Sequence, residues 1–418
     1  MKLDADNVLR DLRELADLTG GPDGARRLAW TPDWLRARGW LRDKLAALGD
    51  AVSVDQDEAG NLWASVGAAD PAAEGFVIIG SHLDAVPAGG WLDGALGVLS
   101  GLEALRQVVA AAPPPVEIRL VDWAEEEGAR FGRSLVGSSA CCGTLEPDGI
   151  RDLRDADGKR LEDAMAECGV ELDAAPRATA RLEGALAYVE LHIEQGPVLL
   201  DADLPAAAVS GTVGVERHLV RFTGQAAHAG STPMDLRRDP LAAAARFVID
   251  VRESAIARGG VGTVGAIRTE PGVITAVAGL AEAMLDLRHL DPIALREMDA
   301  DAHERAEAAA AAYGCGVEFR RIFSAPATPF APELIEIART AVAEAGGGSH
   351  DPIPSGPLHD ATEVGRVVPT VMLFVQSDPP LSHVSIEDSP ESALRIAIDA
   401  YGRTVDGVLA LCAAGRVA

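Results

Sequence analysis

The run FVIIG at residues 76–80 constrains this chain more than any other stretch, because it has no polar side chain. A strand with one wet face alternates apolar and polar residues. A continuous apolar run belongs to a strand buried on both faces, the mark of a parallel sheet covered by helices. GALGVLSGLEALRQVV (94–109) follows as a helix and VEIRLVDW (116–123) as another strand. This alternation predicts an α/β fold with a mixed, mostly parallel sheet and flanking helices. Upstream, helices are expected over 4–18 and, after Thr31-Pro32, over 32–48. VSVDQDEAGNLWASV alternates around Glu58–Asn61 and reads as a hairpin.

The middle of the chain changes character. RHLVRFTG (217–224) and EAMLDLRHL (282–290) read as strands with the helix DPLAAAARFVIDVRES between them, and Asp291-Pro292 opens a second helix that ends near Gly314. The pattern β-α-β-β-α-β over 212–325 suggests an inserted α+β sandwich. SAPATPFAP leads back to a helix at 333–345 and the strand TVMLFV (370–375). With 418 residues, more than one core is expected. We therefore divide the chain into a main domain in two parts, 1–211 and 326–418, interrupted by a smaller domain at 212–325.

Charge and cysteine usage narrow the function classes. A net charge of −27 repels phosphate backbones and anionic lipid, so neither nucleic acid nor a membrane is an expected partner. The five cysteines include no CxxC pair, which suits free thiols in a reducing compartment. MKLDADNVLRDLREL reads as an amphipathic helix without a secretory core, and no run approaches the roughly 18 apolar residues of a membrane span. A cytoplasmic location is expected.

Histidine is scarce, so its placement is informative. His82 follows FVIIG, at the carboxyl end where open α/β sheets place ligands. Asp84 is two residues on, where a carboxylate could hold the second ring nitrogen, and Asp93 precedes a glycine and a helix. A second HxD, His289-Leu290-Asp291, sits at a strand-to-helix turn and reads as structural. In EEEGARF, Glu125, Glu126 and Glu127 crowd the end of a core strand. Adjacent carboxylates repel unless a cation sits between them, and a pair of divalent ions would supply it. His192 lies in ELHIEQGPVL beside Glu190, Glu194 and Gln195, and His383 lies in PPLSHVSIEDS ahead of Glu387. His82, Asp93, Glu127, His192 and His383 together form a thiol-free donor set suited to zinc, manganese, cobalt or nickel.

The series GSHLD, WLDGALGV, EEEGARF, Gly137-Ser138, ELHIEQGPVL, GQAAHAGSTPMDLRRDP, SGPLHDA and LSHVSIE runs in order from about residue 76 to 391. It resembles the amidase/carbamoylase branch of the M20 metallopeptidase-like family, which holds N-carbamoyl-L-amino-acid hydrolases, allantoate amidohydrolases and β-ureidopropionases. The resemblance implies a zinc-exopeptidase-like catalytic domain, an inserted lid and dimerisation domain, a homodimer, and two divalent metal ions per subunit. Asp93 would bridge the ions, with His82 and His192 on one and Glu127 and His383 on the other. Asp84 would orient His82, Glu126 would be the general base, and Glu125 would lie outside the ligand set. His228, in QAAHAGSTPM, would stabilise the oxyanion. Arg288, in LDLRH, would grip a substrate carboxylate, although a surface pairing with Asp286 is the alternative. Gln195 and Gly356 would line the substrate pocket.

Two departures bear on the substrate. PGVITAVAG carries Thr275 where the family has a substrate-contacting asparagine, and Ala278 where it has proline. SGPLHDA carries Pro357 and Leu358 in place of the family's small residues. Hydrolysis of a C–N bond is expected to survive these changes. The first expectation is a small ureido acid, most simply an N-carbamoyl-L-amino acid, giving amino acid, carbon dioxide and ammonia. Allantoate, β-ureidopropionate, or an N-acyl or dipeptide-like amide are the alternatives. A non-enzymatic binding protein is disfavoured, because a binder needs ligands but no base such as Glu126.

Overall fold

The computed structural model describes residues 1–21 and 23–415. The last three residues of the expected second catalytic segment, 416–418, lie outside the described residues. The chain forms two compact units: Met1–Gly211 together with the chain from Phe330 onward, and Thr212–Pro329.

Setting aside pairings of two residues, the strands are, in chain order, β1 (Ser53–Gln56), β2 (Leu62–Val66), β3 (Phe76–His82), β4 (Glu117–Trp123), β5 (Ala185–Ile193), β6 (Ala206–Thr212), β7 (Gly214–Thr223), β8 (Val261–Glu270), β9 (Leu280–His289), β10 (Gly316–Ala325), β11 (Ile353–Ser355) and β12 (Thr370–Val375). In the larger unit the sheet runs β6-β12-β5-β3-β4-β2-β1, with β11 beside β6. The four central strands are mutually parallel. Antiparallel neighbours close both sides, including the β1–β2 hairpin.

Every residue of β3 and β12 is buried, which accounts for the apolar runs FVIIG and VMLFV within them. Alternation sorts their side chains to two cores. Val77 and Ile79 pack on one face with the helices Ala5–Thr19, Ala95–Ala111 and Glu391–Ala413. Phe76 and Ile78 pack on the other with Trp123, Tyr188 and Phe374. The helix Ala95–Ala111 lies close on the sheet because Gly97 has no Cβ; one would press on the Leu191 carbonyl. At its N-terminus Gly94 has φ 63°, and a Cβ there would run into the His82 ring.

The smaller unit is a four-stranded antiparallel sheet, β8-β9-β7-β10. The helices Pro240–Arg258 and Pro292–Ala312 cover one face over a core that includes Val220, Phe222, Phe247, Leu285 and Met298. Each helix starts as its sequence predicts, with Asp239 or Asp291 capping the first amides and proline next. Among the described residues no helix is long and apolar enough to cross a membrane.

Candidate metal centre

Parallel strands point their carboxyl ends the same way, and the polar residues follow from that. His82 is the last residue of β3, Glu125–Glu127 follow β4, and His192 is near the end of β5. Asp93 precedes the helix Ala95–Ala111, and His383 lies in the loop after β12, at φ 62°. The sheet order β5-β3-β4 sets the three strand ends side by side.

The structure brings His82, Asp93, Glu127, His192 and His383 together around the Asp93 carboxylate. Its Oδ1 lies 3.1 Å from His192 Nε2 and 3.7 Å from His82 Nε2. Its Oδ2 lies 3.6 Å from His383 Nε2, which is 3.3 Å from Glu127 Oε2. In each of the two groups, His82–Asp93–His192 and Asp93–Glu127–His383, the donor atoms lie within 4.8 Å of one another. His383 is exposed, whereas the others are buried or nearly so.

The tautomers decide what these groups can hold. His82 Nδ1 donates to the Asp84 carbonyl at 3.0 Å and His192 Nδ1 to the Ile193 carbonyl at 2.9 Å. Each Nε2 is then left buried and without a hydrogen-bond partner among the described residues. Two bare imidazole nitrogens facing a shared carboxylate fit divalent cations.

The pKa shifts describe the same demand for positive charge. Burial pulls His82 down, but Glu126, Asp84 and Asp93 outweigh it and push its pKa well above the usual range. Burial pushes Asp93 up, but the close approach of His192 and the charges of His192, His82 and His383 hold it low. Burial raises Glu126 and Glu127 well above the ordinary carboxylate value, with neighbouring acids adding to the rise.

The three glutamates separate. Glu127 faces His383, and its Oε1 accepts from the Val86 amide at 3.3 Å. Glu126 Oε2 lies 3.8 Å from His82 Nε2. Glu125 turns away at φ 56°, and both its oxygens are buried without a hydrogen-bond partner among the described residues. Burial and the Asp84 charge push the Glu125 pKa well up.

Asp84 meets His82 through its main chain. The ring nitrogen of His82 is taken by the Asp84 main-chain carbonyl, while the nearer carboxylate oxygen stands at 3.6 Å, beyond a hydrogen bond. The carboxylate instead accepts from the amides of Glu126 at 3.2 Å and Glu127 at 3.1 Å, fixing the glutamate loop. Gln195 Nε2 donates to Asp93 Oδ2 at 2.8 Å and to Ser382 Oγ at 3.0 Å. Gly356 is exposed, three residues before His359.

Sequence reasoning gave no role to three residues that support the cluster. The ring of His359 lies 4.4 Å from that of His192, and its Nε2 meets Ser355 Oγ at 3.0 Å. Glu190 accepts from Ser81 Oγ, from Tyr188 Oη and from the Ala361 amide. Glu387 accepts from the Asp93 and His383 amides and from Ser382 Oγ, and burial pushes its pKa up to about 7. The quoted stretches SGPLHDA, ELHIE and LSHVSIE held all three, but nothing in their spacing separates them from neighbouring polar residues.

The remaining candidates, His228, Thr275 and Arg288, belong to the inserted unit. His228 Nδ1 accepts from the amides of Gly230 at 3.1 Å and Ser231 at 3.2 Å, so its exposed Nε2 carries the proton. Thr275 lies beside it: its carbonyl accepts from the Ala229 amide at 2.8 Å, and His228 pairs with Ala276. Arg288 Nε donates to Asp286 Oδ1 at 2.8 Å, the pairing weighed above as the alternative.

A profile of peptidase family M20/M25/M40 matches residues 78–407. The chain is 35% identical over 408 residues to an N-carbamoyl-L-amino acid amidohydrolase of Geobacillus stearothermophilus, covering 96% of this chain and 98% of that one. It is 32% identical to the allantoate amidohydrolase of Escherichia coli K12, covering 90% and 92%. A hydantoinase/carbamoylase family amidase from Burkholderia ambifaria superposes with a TM-score of 0.86 at 34% identity, covering 99% and 98%. With the match spanning both parts of the sheet and the cluster at its strand ends, the chain belongs to peptidase family M20/M25/M40, in its amidase/carbamoylase branch.

Proposed function

We propose that this protein hydrolyses the C–N bond of a small linear ureido or amide acid, most simply an N-carbamoyl-L-amino acid, giving amino acid, carbon dioxide and ammonia. The observation that carries the reading is the split Asp93 carboxylate, one oxygen toward His82 and His192 and the other toward His383, with Glu126 beside it. His82 and His192 would hold one divalent ion, Glu127 and His383 a second, and Asp93 both; zinc, manganese, cobalt and nickel suit the donors. Such ions, when bound, supply Lewis acidity and make water available as a nucleophile near neutral pH.

The chain's own residues do the rest. Glu126 accepts the proton of the attacking water and returns it to the leaving nitrogen. His228, with Nε2 protonated, is the donor for the developing oxyanion. Arg288 is the candidate for binding the substrate carboxylate through its planar fork, and Gln195, Thr275 and Gly356 are the other candidate substrate contacts. Asp84 keeps Glu126 and Glu127 in place through their amides. Thr275 and Leu358 select among ureido acids, which keeps allantoate, β-ureidopropionate and N-acyl amides in the test set. The reading carries with it a homodimer through the inserted unit, whose sheet ends on the exposed strand β8. It also carries a cytoplasmic location, in keeping with cysteines that are all free.

The test is ammonia release from metal-reconstituted protein across N-carbamoyl amino acids, allantoate, β-ureidopropionate and N-acyl amino acids. Turnover restricted to N-acyl amides would replace the ureido reading, and no release from any substrate would overturn it.

A further inference from the structure

We propose a separate cation site inside the inserted unit, formed by Glu216, His218, Asp299 and His303. Strand β7 sends its even-numbered side chains to the face under the two helices. Val220 and Phe222 do so as core residues, and His218 continues that face with 2% of its surface exposed. A core position of this kind ordinarily carries an apolar side chain, and a buried polar group there is costly unless satisfied. Neither ring nitrogen of His218 has a hydrogen-bond partner among the described residues.

The groups facing it are acids and a second imidazole. The helix Pro292–Ala312 presents Asp299 and His303 one turn apart, on one face. His218 Nε2 lies 2.8 Å from Asp299 Oδ1 and 3.9 Å from Glu216 Oε2. Both of those oxygens are themselves buried without a hydrogen-bond partner among the described residues. Three buried polar atoms therefore converge from a strand and a helix, held by ion-pair contacts alone. His303 is the fourth donor. Its Nδ1 is 3.7 Å from Asp299 Oδ1, and the donor atoms of His218, Asp299 and His303 lie within 4.8 Å of one another. In the structure this Nδ1 bonds the Asp299 carbonyl at 2.8 Å, a bond it would exchange for the ion. The ring is already stacked on Phe319, with centroids 3.8 Å apart.

Arg321 is the competing cation. Its guanidinium lies 3.1 Å from Glu216 Oε2 and 3.9 Å from Asp299 Oδ2, and it is 58% exposed, so it can swing outward. Two imidazoles and two carboxylates suit zinc, nickel or manganese. A bound ion would fasten β7 to the helix, and none of its donors belongs to the Asp93 cluster.

Crystals of the full chain soaked in zinc chloride should show an anomalous peak about 2.0–2.2 Å from His218 Nε2 and Asp299 Oδ1. Peaks confined to the Asp93 cluster would mean that His218 and Asp299 are a plain ion pair, and would overturn the proposal. In solution, equilibrium dialysis with elemental analysis should find one zinc fewer per chain in D299N and in H303N than in wild type. Folding of each variant is checked by circular dichroism, and H303N alters a half-exposed residue. H383A removes zinc from the other cluster only, so the two sites are counted apart. R321A should tighten zinc binding at the inserted site. Equal zinc counts in wild type and H303N would sink the idea, whatever the catalytic cluster does.

Discussion

Gln195 donates from Nε2 to Asp93 Oδ2 at 2.8 Å, the same oxygen that faces His383. The contact sets the rotation of a carboxylate on which both halves of the candidate metal centre depend. Ser382 Oγ bonds the same oxygen at 3.2 Å and Gln195 Nε2 at 3.0 Å. A residue expected at the substrate thus also positions a ligand, and the two roles separate by experiment.

Replacing Gln195 with Ala frees the Asp93 carboxylate to turn. Groups that orient a metal ligand are typically worth about 10–100-fold in metal affinity or activity. We expect Q195A to need that much more free metal for half-maximal activity. A change in KM alone, at unaltered metal affinity, would return Gln195 to a substrate role.

Glu126 is the candidate base, and it stands outside both groups of donors. E126Q preserves shape and removes the proton acceptor. Turnover should fall by about 10²–10⁴-fold, the usual worth of general acid–base catalysis. Metal content should not change. Full activity in E126Q would remove Glu126 from the mechanism.

Arg288 is a carboxylate clamp only if it can leave Asp286. We expect R288A to raise KM for carboxylate substrates about 10-fold or more with kcat nearly kept, the signature of lost uniform binding. Equal cleavage of amides lacking a carboxylate by wild type would contradict the clamp.

Asp286 gives a pH test on stability. Burial pushes its carboxyl up, but hydrogen bonds from Arg288 and Arg217 outweigh it and hold the pKa below the usual range. A depressed folded pKa contributes stability above the unfolded value of about 3.9 and loses it as the pH falls through the folded one. D286N should therefore cost up to about 1 kcal/mol at pH ~7, screened because the arginines are partly exposed. The gap to wild type should close in acid. Urea melts showing the same gap at both ends would refute the ion-pair account.

Chelation tests the cluster as a whole. Without cations, Asp93, Glu127, His82 and His192 leave buried charge and bare lone pairs in contact. An ion present at 100 times its dissociation constant stabilises by about 2.7 kcal/mol per site. A chelator should abolish activity and lower Tm by several degrees, and added divalent ion should restore both. A Tm indifferent to chelator would leave no metal at this site.

Much of this architecture was legible because local chemistry is one-dimensional. The unbroken apolar run FVIIG, bounded by turn residues, fits a doubly covered strand, and Asp291-Pro292 ahead of a long run of helix formers fits a capped helix start. His82, Asp93, Glu127, His192 and His383 stood out because a scarce residue type, or a crowd of acids, ended or followed an apolar run. His82, Glu127 and His192 share a strand end, and strand ends are readable; Asp93 and His383 lie in loops.

Contacts between elements were not. Whether His82 is held by the carbonyl or the carboxylate of Asp84 turns on a difference of 3.0 against 3.6 Å, set by backbone path. His359 touches His192 only because β12 lies beside β5 and brings the preceding loop with it. His218 read as one more residue of a strand until the helix carrying Asp299 was laid across it. The sequence by itself determined which segments are strands and helices and which ends carry donors, because those properties follow from residue type and period. Only the tertiary structure decided which nitrogen stays bare and which carboxylate faces it, because that depends on how separate elements pack.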